Sequence, residues 1–561
     1  MAESGIEFAK ESLARARVLV AGSWHMLRRN GPGQIQFWFL ALLIGFAAGF
    51  AALGFRLAIT WLQALFYGTN DVVLASQAHT LSWELVLIIP VLGGLAVGFI
   101  LHFFTPGGRV RSVADVIEGS ALGDGRVESK EGIASAASSL ITLSTGGSSG
   151  REGPVVHLAG LIATAVSNVI HADGVSARDL LGCAVAAAVS ASFNTPIAGA
   201  LFALEVILRH FAVHAFAPIV IASVAGTIVS RLEFGNITEF YLAAGNRLEF
   251  YVELPAFVVL GLVSGLVAVV LMKSVFWADD LGNIVQRNMR IPRWLRPVVA
   301  GALLGGLAVI FPHIIGVGYA TTSAALSGKL MFWTVVLFAL AKGLAVVITL
   351  AGRMGGGIFS PSLMMGALTG LAFGQAATGF LPAVSGSETL YALAGMGAVA
   401  AAVLGAPIST TLIVFELTGD WQTGLAVMVA VSLSTALASR LVDRSFFLTQ
   451  LERRNVHLAA GPQAWLLAAC RVKTVLRPLG TMGCATEEAC RELIEQGIWL
   501  DENATLESAL PMFEEAAIDD IPVIRDGDGD DPPVLLGSLL HVDALRAYAH
   551  ALSATALEEH S

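Results

Sequence analysis

The sequence contains few charged residues for its length. Of its 561 residues, 14% are Asp, Glu, Lys or Arg, whereas 55% are hydrophobic and the mean hydropathy is +0.73. An average soluble protein has about 25% charged residues, so a single soluble core does not explain this composition. The composition predicts a chain that lies mostly in a membrane.

Cysteines are also few, and the common cofactor motifs are missing. The four cysteines lack the paired spacing of a metal site, so we expect free thiols in a reducing compartment. There is no dinucleotide-binding or Walker motif, which argues against a nucleotide-driven pump and predicts no cofactor. Residues 1–33 are basic and amphipathic but lack the apolar core and cleavage site of a secretory signal. We interpret them as a segment on the cytoplasmic surface of the membrane.

The sequence instead contains many long apolar runs. Eight runs of roughly spanning length lie between residues 37 and 441, and several are interrupted by glycine or proline. Such interruptions are tolerated at membrane depth only where the backbone faces protein or water. The pattern therefore predicts a transporter-like fold of broken and tilted helices.

One polar, glycine-rich stretch, TGGSSGREGP at residues 145–154, lies inside this apolar sequence. Its four glycines allow tight turns, and Pro154 suits the first turn of a helix from Val155 to about Ile170. The free N–H groups and the dipole of such a helix start can hold an anion. Glu152 lies in the same turn, and a carboxylate in a membrane indicates a functional site. A capped turn between two helices is the alternative interpretation.

A second set of the same motifs follows later in the chain. Pro196 and Pro407 are each followed nine residues on by a glutamate, Glu205 and Glu416. Upstream of the second pair, three glycines at 355–357 are closed by Pro361. This order of parts predicts an internal repeat, and in transporters such halves meet around a site near the midplane.

These motifs resemble those of the CLC chloride channels and proton–chloride antiporters. Residues 150–154 match the family's GREGP motif, residues 355–361 its GGxFxP motif and residues 193–196 its FNxP motif. The resemblance implies an all-α polytopic fold of two inverted-topology repeats, about residues 34–231 and 252–455. It also implies a homodimer in the cell (inner) membrane, with both termini cytoplasmic and one anion pathway per subunit. Glu152 would be the gate, and the implied anion ligands in these motifs are Gly150, Arg151, Gly153, Ile358 and Phe359.

The sequence departs from the family pattern in three places. The family's first anion motif, GSGIP, falls on residues 110–114, so that Arg111 stands in place of the serine, beside Ser112. Phe447 stands in place of the family's central tyrosine. Val206 replaces the inner proton-transfer glutamate of many antiporters. These changes favour passive conduction, with chloride as the default anion. The alternatives are a proton-coupled antiporter and selectivity for another monovalent anion such as nitrate or bicarbonate.

The last part of the chain, residues 456–561, is predicted to be a separate cytoplasmic domain. From residue 481 onward it has eighteen acidic and three basic residues, which argues against binding to nucleic acid or anionic lipid. Its strand–helix–strand–strand–helix pattern from Ile498 is similar to a CBS module, and 466–495 resembles a shortened, degenerate partner. An adenine nucleotide is a candidate ligand, but we favour a role in dimerisation or stability.

A different class of function is also compatible with the motif. Residues 147–150 fit the GxSG pattern of intramembrane serine proteases, with Ser149 as the nucleophile. This interpretation requires a histidine that acts as general base for Ser149, and His157 is the local candidate. The second glycine motif has no role in it.

Overall fold

The computed structural model describes residues 33–69, 81–172, 174–211, 213–235, 240, 253–380, 387–456, 458, 467, 470–481, 483–525 and 534–559. The predicted amphipathic segment therefore lies almost entirely outside the described residues. Within them, nine helical stretches are long and apolar enough to cross a membrane. The fold is a polytopic helical membrane domain followed by a small α+β domain.

Among the residues that the structure describes, the membrane domain has two runs of eight α-helices in matching order. The first run is α1 (Gln34–Tyr67), α2 (Trp83–Phe104), α3 (Val113–Ala121), α4 (Ser129–Ser144), α5 (Glu152–Ile170), α6 (Gly174–Phe193), α7 (Pro196–Phe202) and α8 (Val213–Phe234). The second run is α9 (Leu254–Asn288), α10 (Arg296–Ile310), α11 (Tyr319–Leu326), α12 (Phe332–Ala351), α13 (Phe359–Phe380), α14 (Glu388–Leu404), α15 (Pro407–Thr418) and α16 (Trp421–Leu441). A π-helical turn, Ala203–Leu208, extends α7, and α17 (Phe446–Glu452) ends the domain.

Glycine positions show that the two runs are packed alike. Helix α1 packs on α8, and α9 packs on α16. A Cβ at Gly45 would lie 2.6 Å from the Ala222 carbonyl oxygen, and a Cβ at Gly261 would lie 2.6 Å from that of Ala430. Only glycine permits such close approach, as is common where helices pack in membranes. The predicted internal repeat is thus present as repeated packing.

The C-terminal domain is built on one four-stranded sheet of order β1–β4–β3–β2. Its strands are β1 (Arg477–Pro478), β2 (Leu500–Asp501), β3 (Asp520–Arg525) and β4 (Val534–Leu540), and its helices are α18 (Glu487–Glu495), α19 (Leu506–Ala516) and α20 (His541–Glu559). The element order from β2 onward is the one that the sequence predicts, and it is consistent with a CBS-like domain.

The segment taken as a shortened CBS partner joins this same sheet. Strand β1 pairs antiparallel with the edge of β4, where Arg477 lies opposite Ser538. In the described part of the chain no second sheet is present. The four cysteines are free, as the spacing predicts.

Candidate anion site

The two glycine motifs meet at the centre of the membrane domain. Gly150 and Gly357 form an isolated antiparallel bridge, in which each N–H donates to the other carbonyl at 2.7 Å. A Cβ at Gly153 would lie 3.1 Å from the Cα of Gly357. The motifs that the sequence places about 200 residues apart are therefore one structural unit.

Glycine is required at the second motif for conformation as well as space. Gly356 has φ +120°, a region that side chains with a Cβ rarely adopt, and a Cβ there would lie 2.1 Å from Ser149 Oγ. Ser149 Oγ donates to the Gly355 carbonyl at 3.1 Å, and the Gly355 N–H donates to Thr142 Oγ1 at 2.9 Å. These contacts hold the backbone of the second motif against that of the first.

Glu152 lies in this unit, at the first position of α5. The residue is 2% exposed, and Ser360 Oγ donates to Glu152 Oε1 at 2.5 Å. A Cβ at Gly150 would lie 2.5 Å from Oε2 and 3.1 Å from the Ser360 nitrogen. The carboxyl group therefore spans the N-terminal ends of α5 and α13, where free N–H groups and helix dipoles favour a negative charge.

The Arg151 side chain contacts two neighbouring helices. Its guanidinium Nη2 donates to the Ser192 carbonyl at 3.0 Å and lies over the ring of Tyr319, 5.1 Å from its centroid. The side chain is buried. These contacts tie the motif to α6 and α11, so the Arg151 side chain has a structural role in the loop.

Ile358 and Phe359 lie at the start of α13, as the family motif implies. Both are buried, and the Phe359 ring packs on Phe193 and Phe202, at centroid distances of 4.9 and 5.6 Å. Phe193 belongs to the FNxP motif. Packing of this kind fixes the backbone at the helix start, where the N–H groups have no partner within the helix.

Arg111 and Ser112, the two candidates in the first anion motif, have different contacts at the start of α3. Ser112 immediately precedes α3, and its N–H donates to Asp115 Oδ2 at 2.7 Å. Arg111 instead directs its guanidinium into three carboxylates, those of Asp115, Glu128 and Glu131. A short polar side chain suits the residue before a helix, whereas a cation is stabilised by paired carboxylates. The geometry therefore favours Ser112 over Arg111 at the position of the family's serine.

Phe447 lies in the first turn of α17, which packs against α3. Its ring is buried and meets Phe446 edge-on at 6.0 Å. The place of the family's tyrosine is thus filled by an apolar ring beside the helix that Ser112 precedes. A phenylalanine ring supplies no hydroxyl to an anion.

A cavity of about 460 Å³ leads to this region, lined by Ser112 and Gly356 together with a ring of charged side chains. Its arginines outnumber its carboxylates, since it is lined by Arg109, Arg353, Arg453 and Arg454 and by Asp279 and Asp280. An excess of positive charge around an entrance raises the local concentration of anions. Arg353 lies in the turn after α12, whereas Arg453 and Arg454 lie together in the turn after α17. Sequence patterning does not reveal this grouping, because segments about 100 residues apart supply it.

The proline–glutamate helices exchange contacts across the repeat. Glu416 accepts hydrogen bonds from the N–H groups of Ile197 and Ala198, at 3.0 and 2.7 Å. Glu205 accepts those of Ile408 and Ser409, at 2.9 and 2.8 Å. Each glutamate thus caps the first turn of the helix from the other half. Val206 lies next to Glu205 in the π-helical turn and is buried.

The contacts required for a serine protease are not formed at Ser149. Its hydroxyl donates to the Gly355 carbonyl, and His157 lines a different cavity, beside α3. No histidine nitrogen has a hydrogen bond to Ser149 in the residues that the structure describes.

A sequence model described as voltage gated chloride channel matches residues 93–439 of this chain. The match spans more than half of the chain. This protein belongs to the voltage-gated chloride channel family, the CLC family of membrane anion transporters.

Individual relatives agree with this assignment. A putative chloride channel protein, ClcB-like, from Ralstonia nicotianae is 30% identical over 395 residues, which cover 70% of this chain and 91% of the relative. The voltage-gated ClC-type chloride channel ClcB of Escherichia coli O81 is 27% identical, and the match covers 73% of this chain and 97% of ClcB.

Two solved structures show the same fold. That of a slow cyanobacterial Cl⁻/H⁺ antiporter has a TM-score of 0.66 at 21% identity and covers 75% of this chain and 98% of its own. The structure of a CLC-type fluoride/proton antiporter has a TM-score of 0.60 at 20% identity, and the match covers 73% of this chain and 96% of the antiporter chain.

Proposed function

We propose that this chain conducts chloride, or another monovalent anion, passively through a pathway gated by Glu152. The observation that carries the proposal is the position of the Glu152 carboxyl group, buried across the starts of α5 and α13 and bound to Ser360 Oγ. A carboxylate and a permeating anion compete for the same helix starts. Protonation of Glu152 removes this competition, because a neutral carboxyl group gains far less from the helix dipoles.

The route runs from the arginine-lined cavity, past Ser112, to the paired motifs at Gly150 and Gly357. Backbone N–H groups at the starts of α5 and α13 hold the anion without a full counter-charge, which permits release as well as binding. Val206 supports passive conduction, because it cannot carry a proton at the position of the inner glutamate. Proton-coupled exchange is the second candidate, since two solved structures with this fold are those of antiporters.

We further propose a homodimer in the cell membrane with one pathway per subunit and both termini in the cytoplasm. Helices α7, α8, α15 and α16 support the dimer, because they carry exposed apolar side chains: Ile197, Val224, Ile228, Ile408, Trp421 and Met428. The basic residues 1–33 support the orientation, because basic segments beside a membrane span are typically cytoplasmic. A role for the C-terminal α+β domain in dimerisation, rather than in nucleotide binding, completes the proposal.

The test is anion efflux from liposomes under a chloride gradient, with proton movement recorded at the same time. We expect Glu152→Gln to increase efflux, since its neutral amide leaves the helix starts to the anion. The exposed Glu84 provides a matched control, and Glu84→Gln should leave efflux unchanged. Uphill proton movement in the wild type would contradict passive conduction. Equal efflux from wild type and Glu152→Gln would contradict the gate.

A further inference from the structure

The membrane domain has a third cavity at the end of α9, besides the arginine-lined cavity and the second cavity, which lies beside α3 at His157. The third cavity has a volume of about 580 Å³, within the range of about 300–1,000 Å³ that small-molecule sites have. No acidic residue lines it among those that the structure describes, and its charged residues are Arg287, Arg290, Arg293 and Arg353. Arg353 also lines the arginine-lined cavity, so the two cavities are neighbours.

These four arginines have no anionic partner on the described part of the chain. Arg287, Arg290 and Arg293 are exposed, and their side chains form no ion pair or hydrogen bond with a described residue. Arg353 is half-buried and donates to the neutral side chain of Asn283 at 3.0 Å. Like charges that are grouped in this way repel one another, so an anion from outside the chain stabilises the group.

The carboxylates on the same stretch of α9 are engaged by other arginines. Asp279 pairs with Arg296 at 2.6 Å, and Asp280 pairs with Arg453. Arg453 follows α17, the last helix before the C-terminal domain, so the end of α9 lies on the face that carries this domain. The dipole of α9 does not explain the group of four arginines, because only Arg287 lies in the last turn of that helix.

Helix α9 is long enough for its end to leave the hydrocarbon layer. Its 35 residues extend over about 52 Å, whereas the hydrocarbon core of a bilayer is about 30 Å thick. Its predominantly apolar part ends at the exposed Trp277, and tryptophan is enriched at the level of the lipid head groups. The cavity beside the end of α9 is therefore expected at that level.

The last turns of α9 combine a basic face with an apolar one. Gln286, Arg287 and Arg290 line the cavity. The apolar residues around them are exposed, namely Leu281, Ile284 and Met289 on α9 and Phe103 and Phe104 at the end of α2. Exposed apolar side chains beside basic ones are typical of a helix that lies in the membrane interface.

We propose that the third cavity binds the phosphodiester head group of an anionic phospholipid, from the leaflet on the face that carries the C-terminal domain. The phosphate oxygens accept hydrogen bonds from the arginines, whose planar guanidinium groups bind phosphate in a bidentate manner. The acyl chains lie against the exposed apolar side chains of α2 and α9. A free phosphate ion would use the charges but not the apolar surface, whereas a lipid uses both. The inference does not depend on the gate at Glu152.

The experiment measures the lipid bound to the full-length protein in detergent, by native mass spectrometry, during titration with phosphatidylglycerol or phosphatidylcholine. We expect the wild type to bind phosphatidylglycerol more tightly than phosphatidylcholine. In the double variant with Arg287→Gln and Arg290→Gln, the dissociation constant for phosphatidylglycerol should rise about fivefold for each arginine removed. The exposed Arg440, near the end of α16 and outside this cavity, provides the matched control, and Arg440→Gln should keep the wild-type dissociation constant.

The wild type alone tests the proposal if the double variant does not fold, because equal affinity for the two lipids would overturn it. Equal dissociation constants for the wild type and the double variant would overturn it as well. Competition with inorganic phosphate separates a lipid from a soluble anion. An excess of phosphate should leave phosphatidylglycerol bound, since the ion gains nothing from the apolar surface, and displacement of the lipid would assign the cavity to a soluble anion instead.

Discussion

At the scale of single residues, Glu205 and Glu416 have matching places in the two halves, and their contacts differ from those of Glu152. Glu205 and Glu416 each bind two backbone N–H groups of the opposite half, and Ser409 Oγ also donates to Glu205. They therefore have structural partners for their charge. Glu152 has a single hydroxyl donor and the ends of two helices, which leaves its place open to a competing anion.

The capping of α7 and α15 by glutamates from the opposite half predicts an effect on the free energy of unfolding. Glu205→Gln removes a charged acceptor from the first turn of α15, which should lower the free energy of unfolding by about 1–2 kcal/mol. The measurement is thermal unfolding of the purified protein in detergent. Glu84→Gln provides the control, and equal unfolding temperatures for the two variants would contradict a capping role.

At the scale of secondary-structure elements, Arg477 connects β1 to α20. It donates to both oxygens of Asp543, at 2.6 and 3.1 Å. These hydrogen bonds hold the pKa of the Asp543 carboxyl below its usual range. The two-residue strand β1 is thus attached to the domain through a side chain as well as through its pairing with β4.

Acid should loosen this attachment. In the unfolded chain Asp543 has its ordinary pKa of about 3.9, so its contribution to stability is present above that pH and is lost as the pH falls through the lower, folded-state value. We expect the amide protection factors of Arg477 and Leu479 in the full-length protein, which correct for the intrinsic slowing of exchange in acid, to fall on acidification below about pH 4. Asp543→Asn should exchange faster at neutral pH and lose this acid response. An acid response that persists in the variant would contradict the assignment.

Elements were easier to predict from sequence than their contacts. Glycine and proline spacing predicts a helix from Val155, and the helix begins three residues earlier, at Glu152, with Pro154 in its first turn. The register of the first anion motif stays a prediction, since that motif lacks the glycines and proline that would mark it. The pairing of Glu205 with Ile408 and the cavity at His157 depend on tertiary contacts between distant segments, which periodicity does not encode.

At the scale of the whole molecule, the C-terminal domain contacts the membrane domain through ion pairs. Arg471 Nη2 lies 2.7 Å from Asp124 Oδ2, beside the turn that lines the second cavity. Glu507, at the start of α19, is 2% exposed and lies 4.0 Å from Arg209 Nη1, just after the π-helical turn. The buried pair matters more than the exposed one, because exposed pairs contribute at most about 1 kcal/mol.

The buried contact predicts coupling between the two domains. Glu507→Gln leaves Arg209 facing a neutral side chain, so the domain should separate from the membrane face more often. Hydrogen exchange in the first turn of α19 of the full-length protein should rise several-fold. Glu514→Gln, on the exposed face of the same helix, is the matched control. Unchanged exchange in Glu507→Gln would show that the ion pair does not hold the domains together.

The bridge between Gly150 and Gly357 limits how this molecule can move. Any tilting of one half away from the other must break the two backbone hydrogen bonds of this bridge and must also release the capped helices α7 and α15. The bridge therefore opposes rigid-body motion of one half relative to the other. Movements that keep this bridge intact are therefore confined to side chains, such as that of Glu152, and to segments away from the bridge.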